Sequence, residues 1–333
     1  MIKFDPEKPR ILVAFGGRSS ERPVSIETGR EIAYALERNG YPSAVIDIGT
    51  GRILQTPELD RVEKDPAKIP QVVDLPLEDI ARHFSMVVIG MHGGFGEGGG
   101  LQDLLEQIKM PYLGSRAASS AVALDKRFSK EIFQAAQIKT PEYQILKDPT
   151  DKVTLSFPVI VKPVAEGSSH GIAICENEAD LQIGLKNAFS FDEAVLVEQY
   201  IKGKEITVAI LEDNAGQPQA LPVIEIIPKN RFFDLQAKYD GSTQEIVPAQ
   251  IPEQLAKKAQ EIALKVHEVL YCRHLSRVDM MIDHNNEIYV LELNTLPGMT
   301  KESLFPKAAK AAGYDFDKLV EHLVTIATKD AKD

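Results

Sequence analysis

Two carboxylates and a carboxamide near the end of the chain, Asp279, Glu292 and Asn294, have types and spacing that suit a hard cation. Arg277 to Ile282 and Glu287 to Leu293 are apolar and β-prone, and Asp283-His284-Asn285-Asn286 between them carries turn chemistry, which predicts a β-hairpin. With Asn285-Asn286 as a two-residue turn, His284 faces Glu287, Asp279 falls opposite Glu292, and Arg277 falls opposite Asn294. Alternation then places Ile288, Val290, Glu292 and Asn294 on one face. Opposed like charges destabilise a sheet, so something positive is expected between the carboxylates. Oxygen donors in that number suit Mg²⁺ shared with the phosphates of a nucleotide. The plainer alternative is a solvated hairpin face.

Past the hairpin, Pro297-Gly298 ends the strand, and Thr300 is expected as the N-cap of a helix with Ser303 three residues on. Free N–H groups at a helix start would receive an anion such as a substrate carboxylate; an ordinary capped helix is the bland reading. Lys162 ends an apolar strand, where an ammonium needs an anion. The loop Glu166 to Gly171 beside it, two glycines around Ser168 and Ser169, has backbone N–H groups that could close over phosphates. No G-x-x-x-x-G-K-[ST] occurs, so a phosphate site here is not of the P-loop kind. His92 opens the glycine-rich stretch HGGFGEGGG, either as a hydrogen-bonding group or as a structural loop residue. Lys238 and Tyr239 are the reactive candidates of the polar, irregular segment RFFDLQAKYDGSTQEIVPAQIP.

The elements that must position these groups alternate as in an α/β protein. Strand Ile11 to Phe15 runs through Gly16-Gly17 into a helix whose face is Ile26, Ile32, Ala33 and Leu36. Ala44 to Asp47 and Met86 to Ile89 supply further strands, and Tyr112 to Ser115 closes a first domain of parallel α/β type. Helical sequence from Arg116 to Gln137 leads to a strand, the Glu166 to Gly171 loop and a second strand. Val195 to Tyr200 leads out of this smaller domain, and Glu205 to Leu211 opens the last. A strand linking two domains offers an apolar slot and backbone hydrogen bonds to an adenine. Pro252 opens a helix with the core stripe Leu255, Ala259, Ile262, Ala263, Val266, Val269 and Leu270.

A chain of 333 residues accommodates two or three domains, and 44% hydrophobic with 26% charged residues is ordinary for a globular protein. A net charge of −11 argues against nucleic acid or an anionic membrane as partner. Two cysteines without metal spacing, no apolar signal core in MIKFDPEKPR and no membrane-length apolar run lead us to expect a cytoplasmic protein.

Taken together, FGGRSSERPVS, HGGFGEGGGLQ, GSRAASSAVALDK, VIVKPVAEGSSHG, AKYDGSTQ, RVDMMID and ELNTLPGMTKESL resemble, in order and over nearly the whole chain, the D-alanine:D-alanine ligase family of the ATP-grasp superfamily. The resemblance implies an α/β protein of ATP-grasp fold, an N-terminal parallel α/β domain (1–114) followed by two α+β domains that clamp ATP, a lid (115–200) and a catalytic domain (201–333). It implies a homodimer that joins two D-alanines through an acyl phosphate for peptidoglycan precursor synthesis, with ATP and two Mg²⁺ ions, Mn²⁺ substituting.

By the same resemblance Lys126, Lys162 and Lys238 hold phosphates, and Glu166, Gly167 and Ser169 belong to the grasping loop. Glu198, Tyr200, Ile201 and Glu205 meet adenine and ribose, and Asp279, Glu292 and Asn294 bind metal. Glu21, linked through Ser168 and Tyr239, receives the first ammonium, with His92 in the substrate site. Arg277 and the Gly298 backbone face the oxyanion, while Ser303 and Leu304 hold the second carboxylate. Pro23 and Gly98 depart from the family pattern, which usually has acidic residues there, and bear on fine specificity. A ligase for other carboxylates and amines is the nearest competing reading. A nucleotide-binding protein without catalysis is the other, and Glu21, Lys238, Arg277 and Ser303 argue against it, since binding ATP alone needs no substrate carboxylate site.

Overall fold

The structure, a computed structural model, describes residues 5, 7–167, 170–228 and 243–330. Ser168, Ser169, Lys238 and Tyr239 lie outside the described residues.

The first sheet holds β1 (Ile11–Phe15), β2 (Ser43–Asp47), β3 (Arg52–Leu54), β4 (Met86–Ile89) and β5 (Tyr112–Leu113) in the order β3-β2-β1-β4-β5, parallel except for the edge β3. Every residue of β1 is buried, and its alternation divides the core: Ile11, Val13 and Phe15 enter one hydrophobic cluster, Leu12 and Ala14 another. The helix Arg22–Arg38 follows β1 with Pro23 in its first turn, where a missing N–H costs nothing.

The middle sheet is antiparallel, β6 (Tyr143–Leu146), β7 (Val159–Pro163), β8 (Ala173–Cys175) and β9 (Val195–Gln199) in the order β6-β9-β7-β8. The last sheet runs β13-β12-β10-β14-β15, with β11 on β10; its strands are β10 (Gly203–Glu212), β11 (Pro218–Ala220), β12 (Ile224–Ile227), β13 (Gln244–Ile246), β14 (Leu275–Asp283) and β15 (Ile288–Asn294). Ala123 and Phe133, which precede the middle sheet, join the cluster of the last sheet with Ile206, Val208 and Val290. Phe305, Leu319 and Leu323, after the last sheet, pack in the cluster of Ile11 and Val13. Packing therefore ties the first and last sheets to helices from another part of the chain, while the middle sheet packs on its own helix Glu178–Ala188.

Four details differ from expectation. The helical stretch expected over 116–137 is divided into two helices, Ala117–Leu124 and Lys126–Ala135, because Asp125 turns the chain and caps the second through Arg127 N–H at 2.9 Å. The hairpin turn is a three-residue loop, His284-Asn285-Asn286, with Asp283 N–H donating to Glu287 O at 2.9 Å and Asn286 at φ 62°. That loop pairs Ile282 with Ile288 and Met280 with Val290, one residue off the expected register, and a bulge then restores Asp279 opposite Glu292 and Arg277 opposite Asn294.

The bulge also reverses a face. Ile288, Val290 and Leu293 all enter the core cluster, so Glu292 and Asn294 lie on the opposite face from Ile288 and Val290. The apolar neighbours do not share the carboxylate face. Lastly, the helix after Gly298 begins at Leu304 with Ser303 in the N-cap position, and Thr300 belongs to the preceding turn.

Candidate active site

A cleft of about 1110 Å³, counting its open mouth, is lined by Glu21 and His92 from the loops after β1 and β4, by Glu97 at the end of the short helix Gly94–Glu97, by Lys126, Glu166 and Gly167, and by Arg277, Glu292 and Asn294. Gly298, Ser303 and Leu304 complete the wall. The ends of parallel strands expose loops and helix starts, and for that reason the first sheet delivers polar groups there.

Glu21 is the N-cap residue of the Arg22–Arg38 helix, buried, at the positive end of its dipole. Its neighbour Arg22 is wholly buried and fixes this corner, giving two bonds to Asp47 at 2.7 and 2.8 Å and one to Gly17 O at 2.9 Å. A Cβ on either Gly93 or Gly167 would come within 2.6 Å of Glu21 Oε2, so two backbone loops close on that carboxylate. His92 is buried, with Nε2 2.8 Å from Thr28 Oγ1, and burial presses it below the usual imidazole value, toward the neutral form.

On the opposite wall, Arg277 donates from Nε and Nη2 to the two oxygens of Asp279 at 2.9 and 2.7 Å. Thr207 Oγ1 adds a bond to Asp279 Oδ1 at 2.6 Å. Burial opposes the charge on Arg277, but Asp279, Glu292 and Glu97 outweigh it and raise its pKa. With its amide oriented to satisfy both neighbours, Asn294 donates to Glu97 Oε1 at 2.8 Å and accepts from Arg277 Nη2 at 2.6 Å. Glu97 also accepts from Gly93 N–H at 3.0 Å; burial, then the nearby Glu21, pushes it up to about 7. Glu292 faces Lys126, with Oε2 3.4 Å from Nζ, and Lys126 also donates to Glu166 O at 2.8 Å. Asp279 and Glu292 are thus each paired with a cation, Arg277 and Lys126. Gly298 lies against Ser303, whose Oγ would be 2.8 Å from a Cβ at 298, and the hydroxyls of Ser303 and Thr300 are 2.8 Å apart.

A second cleft, about 950 Å³ with its mouth, adjoins the first at the bulge: Leu291 lines one and Glu292 the other. Ile160, Lys162, Glu198, Tyr200, Ile201 and Glu205 line it. Glu198 is completely buried between Lys162, in direct contact, and Lys130, 2.8 Å away. Burial would raise the carboxyl, but the two ammoniums hold it below its ordinary range.

The structure therefore gathers Glu21, His92, Lys126, Glu166, Gly167, Arg277, Glu292, Asn294, Gly298, Ser303 and Leu304 in one cleft and Lys162, Glu198, Tyr200, Ile201 and Glu205 in the next. Asp279 stands behind Arg277 and does not line either. Sequence reading missed Glu97 and Lys130. Glu97 is the lone carboxylate in a glycine run, and Lys130 follows Lys126 by one helical turn.

Among the described residues no three His, Cys, Asp or Glu side chains form a metal cluster. The donor set Asp279, Glu292 and Asn294 is hard and oxygen-rich, and two of its members are already bonded to Arg277. It suits a divalent ion that arrives with phosphate oxygens to complete its shell.

Comparison with known proteins follows the same lines. The family described as D-ala D-ala ligase N-terminus matches residues 10–115, and that described as D-ala D-ala ligase C-terminus matches residues 131–325. A D-alanine–D-alanine ligase of Geotalea uraniireducens is 39% identical over 323 residues, 96% of this chain and 95% of the relative. One from Syntrophotalea carbinolica is 40% identical over 332 residues, 98% and 99% of the two chains. The crystal structure of a D-alanine–D-alanine ligase from Bacillus anthracis complexed with ATP superposes with TM-score 0.79 at 33% identity, covering 98% of this chain and 99% of that one. A D-Ala:D-Ser ligase from Enterococcus faecalis gives TM-score 0.80 at 27% identity, covering 96% and 100%.

Proposed function

The chain belongs to the D-alanine–D-alanine ligase family, of ATP-grasp fold, and from that premise we propose that it joins two D-alanines to D-alanyl-D-alanine at the expense of ATP, for peptidoglycan precursor synthesis. The observation that carries the reading is one cleft holding a carboxylate for an ammonium, Glu21, opposite a guanidinium for an oxyanion, Arg277, and a helix start for a carboxylate, Ser303-Leu304. A site that only bound nucleotide would need neither.

ATP occupies the second cleft, its adenine and ribose against Glu198, Tyr200, Ile201 and Glu205, its phosphates reaching Lys162 and Lys126 under the loop of Glu166, Gly167 and Ser169. Lys238 takes the γ-phosphate. The first D-alanine places its ammonium on Glu21, which Ser168 and Tyr239 help to hold, with His92 alongside, and its carboxylate oxygen attacks the γ-phosphorus to give an acyl phosphate and ADP. The amine of the second, held by its carboxylate at Ser303 and the Leu304 N–H, then attacks the acyl carbon. Arg277 and the Gly298 N–H bear the oxyanion until phosphate leaves. Mg²⁺ ions, held by Asp279, Glu292 and Asn294, or Mn²⁺ in their place, would neutralise phosphate charge. A lid formed by residues 115–200, between units 1–114 and 201–333, excludes the water that would hydrolyse the acyl phosphate.

No helix among the described residues is long and apolar enough to cross a membrane. A cytoplasmic homodimer is the setting we propose. The test is phosphate release with ATP and Mg²⁺ on adding D-alanine, L-alanine or D-lactate, with products identified by mass. D-Alanyl-D-alanine is expected, with little depsipeptide at neutral pH; release that ignores D-alanine would refute the assignment.

A further inference from the structure

Lys130 reaches neither cleft. Its side chain is wholly enclosed, and its Nζ meets Glu198 Oε2 at 2.8 Å, Thr140 Oγ1 at 2.6 Å and the face of Tyr143 at 5.4 Å from the centroid. Thr140 is itself fixed by donating to Val290 O at 2.8 Å. Lys162 takes the other oxygen of Glu198 from the cleft side. One buried carboxylate therefore stands between a lysine that faces the cleft and a lysine that cannot. Burying an ammonium with so little freedom is costly, and a single Glu198–Lys162 pair would have been neutral without it.

We infer that Lys130 is a positioning residue for the nucleotide: it is the resident counterion of Glu198, and it leaves the charge of Lys162 available to a phosphate. The inference rests on the ATP reading of the second cleft. Within the triad of Lys130, Glu198 and Lys162, two ammoniums and one carboxylate leave one positive charge, and Lys162, which Glu292 and Glu205 also help to keep protonated, is the member that can present it. Without Lys130 the remaining pair is neutral, and a phosphate could recruit Lys162 only by stripping a buried carboxylate of its partner.

The test is a double-mutant cycle on nucleotide affinity, measured calorimetrically with the β,γ-imido analogue of ATP and Mg²⁺ on the full chain. Lys130→Met is expected to weaken binding at least about tenfold. In the Glu198→Gln background, where no buried carboxylate needs a counterion, the same Lys130→Met change is expected to alter affinity by less than about threefold. Lys130→Arg keeps the charge and guards against a variant that fails to fold: it should bind within about threefold of wild type. An equal loss from Lys130→Met in both backgrounds, or a loss in Lys130→Arg as large as in Lys130→Met, would overturn the role given to Lys130. Failure of the wild-type chain to bind the analogue would instead overturn the ATP reading itself.

Discussion

Glu292 shows what a single residue does here. On sequence alone its charge looked like a source of repulsion against Asp279, so removing it should have cost nothing. In the structure Lys126 already stands 3.4 Å from Glu292, and Asp279 is taken up by Arg277. Glu292→Gln therefore strips a buried lysine of its carboxylate. Because the Glu292 side chain is one-third exposed, solvent screens the pair, and the loss of stability should be only about 1 kcal/mol by denaturant titration. Turnover should fall at least about a hundredfold, as expected of a carboxylate proposed to hold the ion that would neutralise phosphate. Near wild-type turnover at saturating Mg²⁺ would remove Glu292 from the metal set.

At the scale of elements, the hairpin β14–β15 decides the chemistry through one extra residue. The bulge at Leu291-Glu292 keeps Ile288, Val290 and Leu293 in the core while turning Glu292 and Asn294 toward the cleft. Deleting Leu291 removes the extra residue while leaving Met280 paired with Val290 and Asp279 with Glu292, so strict alternation then keeps Val290 and Leu293 in the core and Glu292 and Asn294 on the cleft face. No polar group is driven into the core, so the variant should fold with stability within about 2 kcal/mol of wild type by denaturant titration, having lost the Leu291 side chain from the second cleft. An insoluble or unfolded deletion would show that the faces of the hairpin do not follow simple alternation on either side of Leu291. The same hairpin explains why the register came out right for the wrong turn. A three-residue loop shifts pairing by one, and the bulge shifts it back.

Across the whole molecule, the joint between the first and last sheets carries a pH dependence. His274 Nδ1 accepts from Gly114 N–H at 3.1 Å, and burial, with Arg273 beside it, presses its pKa down to about 4. The unfolded chain protonates it near the ordinary value of about 6.5, so between the two the unfolded state binds the extra proton. Stability from His274 is therefore complete above pH 6.5 and is lost as pH falls toward 4. The backbone at 274 is left-handed, φ 64°, which asparagine tolerates. His274→Asn should match wild type within about 1 kcal/mol at pH 7.5, its amide oxygen accepting from Gly114. Between pH 7.5 and 4.5 wild type should lose about 2 kcal/mol more than the variant. Identical urea midpoints at both pH values would exclude His274 as the titrating group.

The strands from Ile11 to Phe15, Met86 to Ile89 and Val159 to Pro163, and the helix behind Pro252, were legible because burial leaves a periodic apolar imprint on local sequence. The motif order likewise marked Glu21, Lys126, Lys162 and Arg277, whose neighbours in sequence are glycines, turns and strand ends. What local pattern cannot carry is which distant groups share a charge. Glu97 is defined by Asn294 and Glu21, and Lys130 by Glu198 and Thr140, partners 197, 76, 68 and 10 positions away. The bulge at Leu291 is equally silent, since it depends on matching a loop length to a core face. Periodicity is a property of neighbours along the chain, whereas the electrostatics of a buried site is set by whatever the fold brings within a few ångströms, and only the tertiary structure fixes that.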